Sequence, residues 1–93
     1  MLEKTLERKL YNQIKKMGGI AYKFISPGNN GVPDRIVVLP TGRIYFVEMK
    51  QPKDRRKEEL QKYQQERIRS KGGNVWKIFT EEELEAFLEE VSK

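Results

Sequence analysis

The stretch from residue 31 to residue 50, GVPDRIVVLPTGRIYFVEMK, reads as two apolar strands joined by a tight turn. Leu39 and Arg43 flank a Pro-Thr-Gly loop at residues 40–42, which predicts a three-residue hairpin loop built on a type I turn, with its glycine in the left-handed conformation. The strands should therefore pair antiparallel. Apolar residues fall on both of their faces, so we expect the ribbon to be buried on both sides.

A carboxylate stands at each outer end of this hairpin. If Leu39 and Arg43 close the loop, Asp34 lies directly opposite Glu48, and facing Cβ atoms in such a pair are about 4.5 to 5.5 Å apart. Two like charges at that distance destabilise a fold unless something positive lies between them. Side chains alternate along a strand, so Lys50 points to the same face as Glu48. The pattern predicts a site for Mg²⁺ or Mn²⁺, which prefer oxygen ligands; the alternative is a set of simple strand-end charges with Asp34 capping the preceding loop.

The rest of the chain predicts one domain, residues 1–93, of the α/β class with the element order α-β-β-β-α-β-α. Apolar residues at helical spacing indicate the first helix, and a second, mostly polar helix carries a thin apolar stripe of Leu60, Tyr63 and Ile68. The strand-helix-strand unit favours a right-handed crossover, which makes the last strand parallel to the third in a mixed four-stranded sheet flanked by helices. The remaining expected features are a helix end at Gly18-Gly19, a strand at 20–25, a flexible loop at 26–31, a helix around 57–71, a strand at 74–79 and a capping box at Thr80 to Glu83.

The composition limits the chemistry that the chain can perform. None of its 93 residues is cysteine or histidine, which excludes disulfides, thiolate nucleophiles and the usual histidine base. No apolar run approaches membrane-spanning length and the charged start lacks a signal-peptide pattern, so we expect a soluble, cytoplasmic protein. Residues 1–77 carry a net charge of +10 and residues 78–93 a net charge of −5. The basic body indicates a polyanionic partner, although a solvated surface would have the same charge.

The order of these motifs resembles the PD-(D/E)XK nuclease superfamily and, more closely, the VRR-NUC domain as it occurs free-standing in phages and prophages. The resemblance covers nearly the whole chain, from a first helix with a glutamate through the hairpin to GGNVWKIF. It is carried residue by residue by Gly31-Val32-Pro33-Asp34, Val47-Glu48-Met49-Lys50 and Gln61. The segment RKEE at 56–59 departs from the leucine-serine-proline-like sequence that is common in the family at the start of that helix. The resemblance implies a restriction-endonuclease-like core.

The resemblance also implies a metal-dependent DNA endonuclease acting in a bacterial host cell. Its implied catalytic residues are Asp34, Glu48, Lys50 and Gln61, and its implied ligands for Mg²⁺ or Mn²⁺ are Asp34, Glu48, the Met49 carbonyl and Glu7. In this scheme Lys50 orients the attacking water, and Gln61 positions either Lys50 or the water. The first-helix glutamate is Glu7 or Glu3, and Glu7 is preferred because Leu10 and Ile14 then follow at the family's spacing.

Basic residues directly after the site predict contacts with DNA phosphates. They are Lys53, Arg55 and Arg56, with Lys15, Lys16, Lys23 and Arg35 as further candidates. The resemblance implies a homodimer that resolves Holliday junctions, and a preference for flaps or single strands stays open. Two other classes also stay open: a nucleic-acid-binding module without catalysis, and a small interaction subunit that docks a partner through its acidic C-terminal helix.

Overall fold

The computed structural model describes residues 1–93 and contains the predicted order of helices and strands. The elements are α1 (Glu3–Lys16), β1 (Ile20–Lys23), β2 (Arg35–Val38), a 3-10 turn (Pro40–Gly42), β3 (Ile44–Glu48), α2 (Arg55–Ser70), β4 (Val75–Lys77) and α3 (Glu81–Val91). The sheet has the order β1-β2-β3-β4, with β1, β2 and β3 antiparallel and β4 parallel to β3. The mixed four-stranded sheet is as predicted, but its first and last strands are shorter than expected. None of the helices is long and apolar enough to cross a membrane.

A single core forms where α1 and α3 pack on one face of the sheet. Phe87 of α3 stands at its centre, with the rings of Tyr45 and Trp76 edge-on at centroid distances of 5.7 and 5.3 Å. The predicted capping box starts α3, since Thr80 Oγ1 accepts from the Glu83 amide and the Glu83 carboxylate accepts from the Thr80 amide, both at 3.1 Å. The buried apolar residues of the core are Leu6, Leu10, Ile14, Val37, Leu39, Val47, Met49, Ile78, Leu84, Phe87 and Val91.

The opposite face of the sheet is only partly covered, so the prediction of a ribbon buried on both faces is wrong. Val37 and Val47 on the core face are fully buried, whereas Ile44 on the other face is 47 % exposed. Ile20 and Tyr22 of β1 share that open face and are 48 % and 56 % exposed. The cause is the placement of the helices: α1 and α3 pack on the core side, and α2 contacts the sheet at β4. An apolar surface therefore remains over β1, β2 and β3.

Helix α2 begins two residues earlier than predicted. Asp54 is its N-cap, and its Oδ1 accepts a hydrogen bond from the Lys57 amide at 2.9 Å. This bond satisfies one of the amides that the first helical turn leaves unpaired. Arg55 and Arg56 consequently belong to the first turn of α2 and not to the basic loop before it.

The predicted apolar stripe on α2 is wrong at Tyr63, which is 57 % exposed. Leu60 and Ile68 are half-buried, and the fully buried residues of the helix are Gln64 and Gln65. Gln64 Nε2 lies 3.4 Å from the Asn30 carbonyl oxygen, to which it donates a hydrogen bond. The inner side of α2 is polar because it faces backbone groups of the 26–31 loop as well as apolar side chains.

The hairpin loop closes at the predicted residues but with a different turn. The Leu39 amide donates to the Arg43 carbonyl at 2.8 Å, and the Gly42 amide donates to the Leu39 carbonyl at 3.1 Å. Thr41 has φ 71° and ψ 9°, which are the values of the third residue of a type II turn and not of the predicted type I turn. The left-handed region costs a residue with a Cβ roughly 1 to 2 kcal/mol, so Thr41 is a strained position.

Asparagine at position 41 should stabilise the protein, because asparagine tolerates the left-handed conformation better than a β-branched residue. We expect Thr41→Asn to raise the free energy of unfolding by about 0.5 to 1 kcal/mol, which is a rise in Tm of roughly 2 to 8 °C for a domain of this size. Thr41→Val keeps the branched Cβ and serves as the control with no gain. An equal Tm for Thr41→Asn and the wild type would show that this turn is unstrained.

Candidate active site

The pairing of β2 with β3 brings two acids to one end of the sheet. Arg35 pairs with Val47, so the next residues outward, Asp34 and Glu48, face each other in the register that the sequence predicts. The backbone of Asp34 is also held from β1's side, because the Phe24 amide donates to its carbonyl at 2.9 Å. Both neighbours of β2 therefore fix the position of Asp34.

These two acids are poorly compensated within the protein. Glu48 is only 2 % exposed, and Asp34 is held through Oδ1, which accepts a hydrogen bond from the Met49 amide at 2.7 Å. The other oxygens, Asp34 Oδ2 and Glu48 Oε1, are buried without a hydrogen-bond partner. Arg35 Nη1 lies 3.6 Å from Asp34 Oδ2, which is beyond hydrogen-bonding distance. Buried carboxylate oxygens without partners raise the free energy of the folded state, so the acid pair is an unfavourable feature of this end of the sheet.

The pKa values of the two carboxyls reflect this environment. Burial, and then the charge of Asp34, raise the pKa of Glu48 to about 8, although the Lys50 amide and ammonium act in the opposite direction. Burial also raises the pKa of Asp34, against the lowering effects of the Met49 amide and Arg35. Without a cation, Glu48 therefore holds a proton at neutral pH.

A cavity of about 540 Å³ opens in front of the acid pair and holds all four predicted catalytic residues. Gln61 reaches across from α2, and its Nε2 donates to the Lys50 carbonyl at 3.1 Å. This bond ties the backbone of Lys50 to the helix, and the positioning role of Gln61 stays a prediction. The cavity is lined by Asn30, Gly31, Val32, Asp34, Glu48, Lys50, Asp54, Arg56, Lys57, Leu60 and Gln61.

The loop at 26–31 forms one wall of this cavity through a close approach to α2. Gly31 has φ 93°, and a Cβ at this position would lie 2.6 Å from the carbonyl of Leu60. Only glycine allows both the backbone conformation and the contact. With the bond from Gln64 to Asn30, the loop is fastened to α2 at two adjacent residues.

Glu7, the predicted first-helix ligand, lies beside the cavity and not in its lining. Its Oε1 is 2.7 Å from Arg35 Nη2, and Arg35 Nη1 donates to the Asp34 carbonyl at 3.0 Å. Arg35 therefore connects α1 to the strand end that carries Asp34. Glu3, the alternative glutamate, has its pKa raised by partial burial and by Glu7, with a smaller effect of Asp34. Neither glutamate of α1 lines the cavity itself.

Only one of the three main predicted DNA-binding residues lines the cavity. Arg56 lines the cavity, whereas Arg55 is 89 % exposed and lies 3.4 Å from Glu59 of the next turn. Lys53 is exposed and outside the lining. Sequence reasoning missed Asp54 and Lys57, which line the cavity together with Arg56. An aspartate directly before the first residues of a helix is an N-cap signal, and it could have placed Asp54 and the first turn of α2 at the cavity.

The donor atoms at the strand ends fit a hard divalent cation. Two carboxylate oxygens lack partners, and the Met49 carbonyl is the third oxygen that the sequence predicts for the site. No group of three or more histidine, cysteine, aspartate or glutamate side chains is arranged to hold a metal ion, so protein side chains could fill only part of a coordination shell. Mg²⁺ usually keeps several waters and takes one or two carboxylates, so the bound ion stays a prediction of the sequence.

The metal-free protein should lose stability as pH rises from about 5 to about 8.5. The pKa of Glu48 rises from its usual value of 4.5 to about 8 on folding, so the folded state holds this proton more tightly. The resulting stabilisation is complete below pH 4.5 and is lost as the pH passes about 8. In EDTA we expect Tm to fall by at least about 5 °C over this range.

Glu48→Gln cannot ionise and should abolish most of that fall in Tm. Glu58→Gln, which alters a half-exposed glutamate on α2, is the matched control and should keep it. A pH-independent Tm for the wild type would show that the acid pair places no strain on the fold.

The chain is similar to known proteins in both structure and sequence. A solved structure described as a VRR_NUC domain superimposes with a TM-score of 0.82 at 29 % sequence identity, covering 94 % of each chain. A curated protein of Acyrthosiphon pisum secondary endosymbiont phage 1, named "Putative nuclease p44", is 58 % identical over 50 residues. That alignment covers 54 % of this chain and 54 % of the phage protein, so the chain matches about half of that relative's length. No protein-family model matches the sequence.

The structural similarity extends over both the sheet and the helices that surround the cavity. The predicted order of elements is present, and the Pro-Asp and Glu-x-Lys segments meet at the ends of β2 and β3. In fold and in sequence, the chain is therefore similar to a VRR_NUC domain over nearly its whole length.

Proposed function

We propose that the chain is a metal-dependent endonuclease that hydrolyses DNA phosphodiesters in the cytoplasm of a bacterial cell. The proposal is carried by one observation: Asp34 and Glu48 each bury a carboxylate oxygen without a partner, in a cavity that also contains Lys50 and Gln61. A module that only binds nucleic acid would gain nothing from two carboxylates aimed at phosphates. The similarity to a VRR_NUC domain and to a phage protein named as a nuclease supports the same reading.

Asp34, Glu48 and the Met49 carbonyl are the groups that would hold Mg²⁺ or Mn²⁺. When bound, such an ion lowers the pKa of a water and stabilises negative charge on the scissile phosphate. The carboxylates must be ionised to act as ligands, so cation binding requires Glu48 to release the proton that its raised pKa retains. The Met49 amide orients Asp34 by donating to Oδ1, which leaves Oδ2 for the cation.

Lys50 lines the cavity and lies two residues after Glu48, so it is the lysine closest in sequence to the acid pair. During hydrolysis a water attacks phosphorus and the bond to the leaving oxygen breaks, so negative charge builds up on the phosphate oxygens. The Lys50 ammonium offsets this charge and orients the attacking water. Gln61 keeps Lys50 in place through its bond to the Lys50 carbonyl. Glu7, held by Arg35, would bind the water shell of the ion or a second ion.

Lys50→Ala should separate catalysis from metal binding. We expect cleavage of DNA to fall by at least about 10²-fold, because a transition-state partner is lost, while Mg²⁺ or Mn²⁺ binding measured by calorimetry persists. Lys71→Ala, which alters an exposed lysine after the end of α2, is the control with wild-type cleavage. Asp34→Asn and Glu48→Gln should lose both cleavage and metal binding.

The assay is nicking of a panel of four-way junctions, flaps, single strands and linear duplexes in Mg²⁺, Mn²⁺ or EDTA. Cleavage in Mg²⁺ or Mn²⁺ and none in EDTA is the expected result. Wild-type activity of Lys50→Ala would contradict the role of Lys50. DNA binding without cleavage in either metal would favour the non-catalytic module, and absence of binding would favour the interaction subunit.

Among these substrates we propose the four-way junction, cut by a homodimer. One site cuts one strand, whereas resolving a junction needs paired cuts, and a two-fold pair of sites matches the symmetry of that DNA. The partly exposed apolar face of the sheet, with Ile20, Tyr22 and Ile44, is the surface that a second copy would cover. An isologous contact places the same patch of both copies together, so the exposed apolar side chains of one copy would cover those of the other.

A charge placed on this face should separate the dimer. We expect Ile44→Lys to give the 11.0 kDa monomer by light scattering at low micromolar concentration, where the wild type gives twice that mass. Leu2→Lys, at a more exposed apolar residue before α1, is the control that remains dimeric. A monomeric wild type that nicks only one strand of a junction would contradict both the proposed dimer and the proposed junction-resolving activity.

A further inference from the structure

We propose that the groove between α1 and β1 binds one DNA strand, through its phosphates and one stacked base, next to the point of cleavage. This inference rests on the proposed function, because it concerns the path of the DNA that reaches the acid pair. The groove has a volume of about 420 Å³ and lies outside the cavity described above. The residues that matter in its lining are Lys4, Glu7, Arg8, Tyr11, Lys23 and Arg35.

The groove has a more positive lining than the cavity. Four cations and a single acid line it, whereas the cavity lining has three cations and three acids. Lys4, Arg8 and Lys23 have no carboxylate within 4.0 Å, in contrast to Arg55, which is paired with Glu59. Cations that no acid of the protein neutralises are free to displace counterions from phosphates.

Arg35 connects this groove to the acid pair. It lines the groove, contacts Glu7 at 2.7 Å, and donates to the Asp34 carbonyl at 3.0 Å. The groove therefore begins at Arg35, the residue directly after the proposed metal ligand Asp34. A strand with its scissile phosphate at Asp34 and Glu48 would pass directly onto the cations of α1 and β1.

Tyr11 gives the groove an aromatic surface. Its side chain is 50 % exposed on α1, between this groove and a smaller depression that continues toward Lys15 and Gly19. A line of cations with an exposed aromatic ring among them is the arrangement by which proteins hold single strands, because phosphates contact the cations and bases stack on the ring.

The charge of the groove can be tested against an equal loss of charge elsewhere. The variant Lys4→Gln/Arg8→Gln/Lys23→Gln removes three unpaired cations from the groove, and Arg67→Gln/Lys71→Gln/Lys93→Gln removes two lysines and one arginine outside the cavity and the groove. Both variants lower the net charge of the chain by the same amount from +5. The probe is a fluorescein-labelled single-stranded 20-mer, with the matching duplex for comparison, titrated in EDTA so that no cleavage occurs.

We expect the groove variant to bind the single strand at least about tenfold more weakly at 0.1 M salt, and its log-log salt slope to fall by about 2. The control variant should stay within about threefold of the wild type. Tyr11→Ala should weaken single-strand binding by about fivefold or more, while Tyr11→Phe, which keeps the ring, should bind like the wild type. Thermal melts of each variant exclude unfolding as the cause.

Equal losses in the two triple variants, or a loss confined to the duplex probe, would overturn the inference. If the groove variant binds and cuts as the control does, the groove inference fails and the proposed nuclease stands. If the groove variant loses binding but the wild type never cuts in Mg²⁺ or Mn²⁺, the strand-binding groove stands and the proposed catalysis fails.

Discussion

Because β2 pairs with β3 antiparallel in one register, Asp34 and Glu48 reach the same end of the sheet and face each other. A slip of one residue would turn Glu48 and Lys50 to the opposite face and bring Val47 or Met49 to the site. The fully buried Val37 and Val47 prevent such a slip, since it would expose them. The geometry of the acid pair therefore rests on apolar packing several residues away from it.

The acid pair is the unfavourable part of this end of the sheet. Glu48 is almost fully buried, and neither acid has all of its oxygens hydrogen-bonded. The surrounding structure holds the pair in place nevertheless, through the Met49 amide on Asp34 and the ion pair of Arg35 with Glu7. Strain of this kind persists where the neighbouring structure overdetermines the position, and binding of a cation would relieve it.

The uneven packing of the helices explains three surfaces of the molecule: the apolar sheet face, the cavity at the acid pair and the groove with Tyr11. Helices α1 and α3 enclose the core, and α2 contacts the sheet mainly at β4, so β1 to β3 keep a partly exposed apolar face. With its inner side turned toward the acids and the 26–31 loop, α2 carries Gln61 and Gln64 where a core helix would carry leucine. The groove with Tyr11 forms on the other side, where α1 passes β1.

The sequence by itself determined the hairpin, its register, the order of elements and the four residues that meet in the cavity. The hairpin, its register and the order of elements depend on short-range patterns: alternation along a strand, turn residues at fixed offsets and helical spacing of apolar residues. Gln61 was predicted only from the resemblance to the VRR-NUC domain. The prediction of a type I turn was wrong at Thr41, because the hairpin tolerates a strained residue there. The prediction that Tyr63 is part of an apolar stripe was wrong because its exposure depends on where α2 lies. Only the tertiary structure decided the burial and raised pKa of Glu48, the link from Glu7 through Arg35 to the acid pair, and the basic groove. Burial and charge pairing depend on which elements pack together. That packing is determined by contacts between residues far apart in the sequence, which short-range patterns do not reveal.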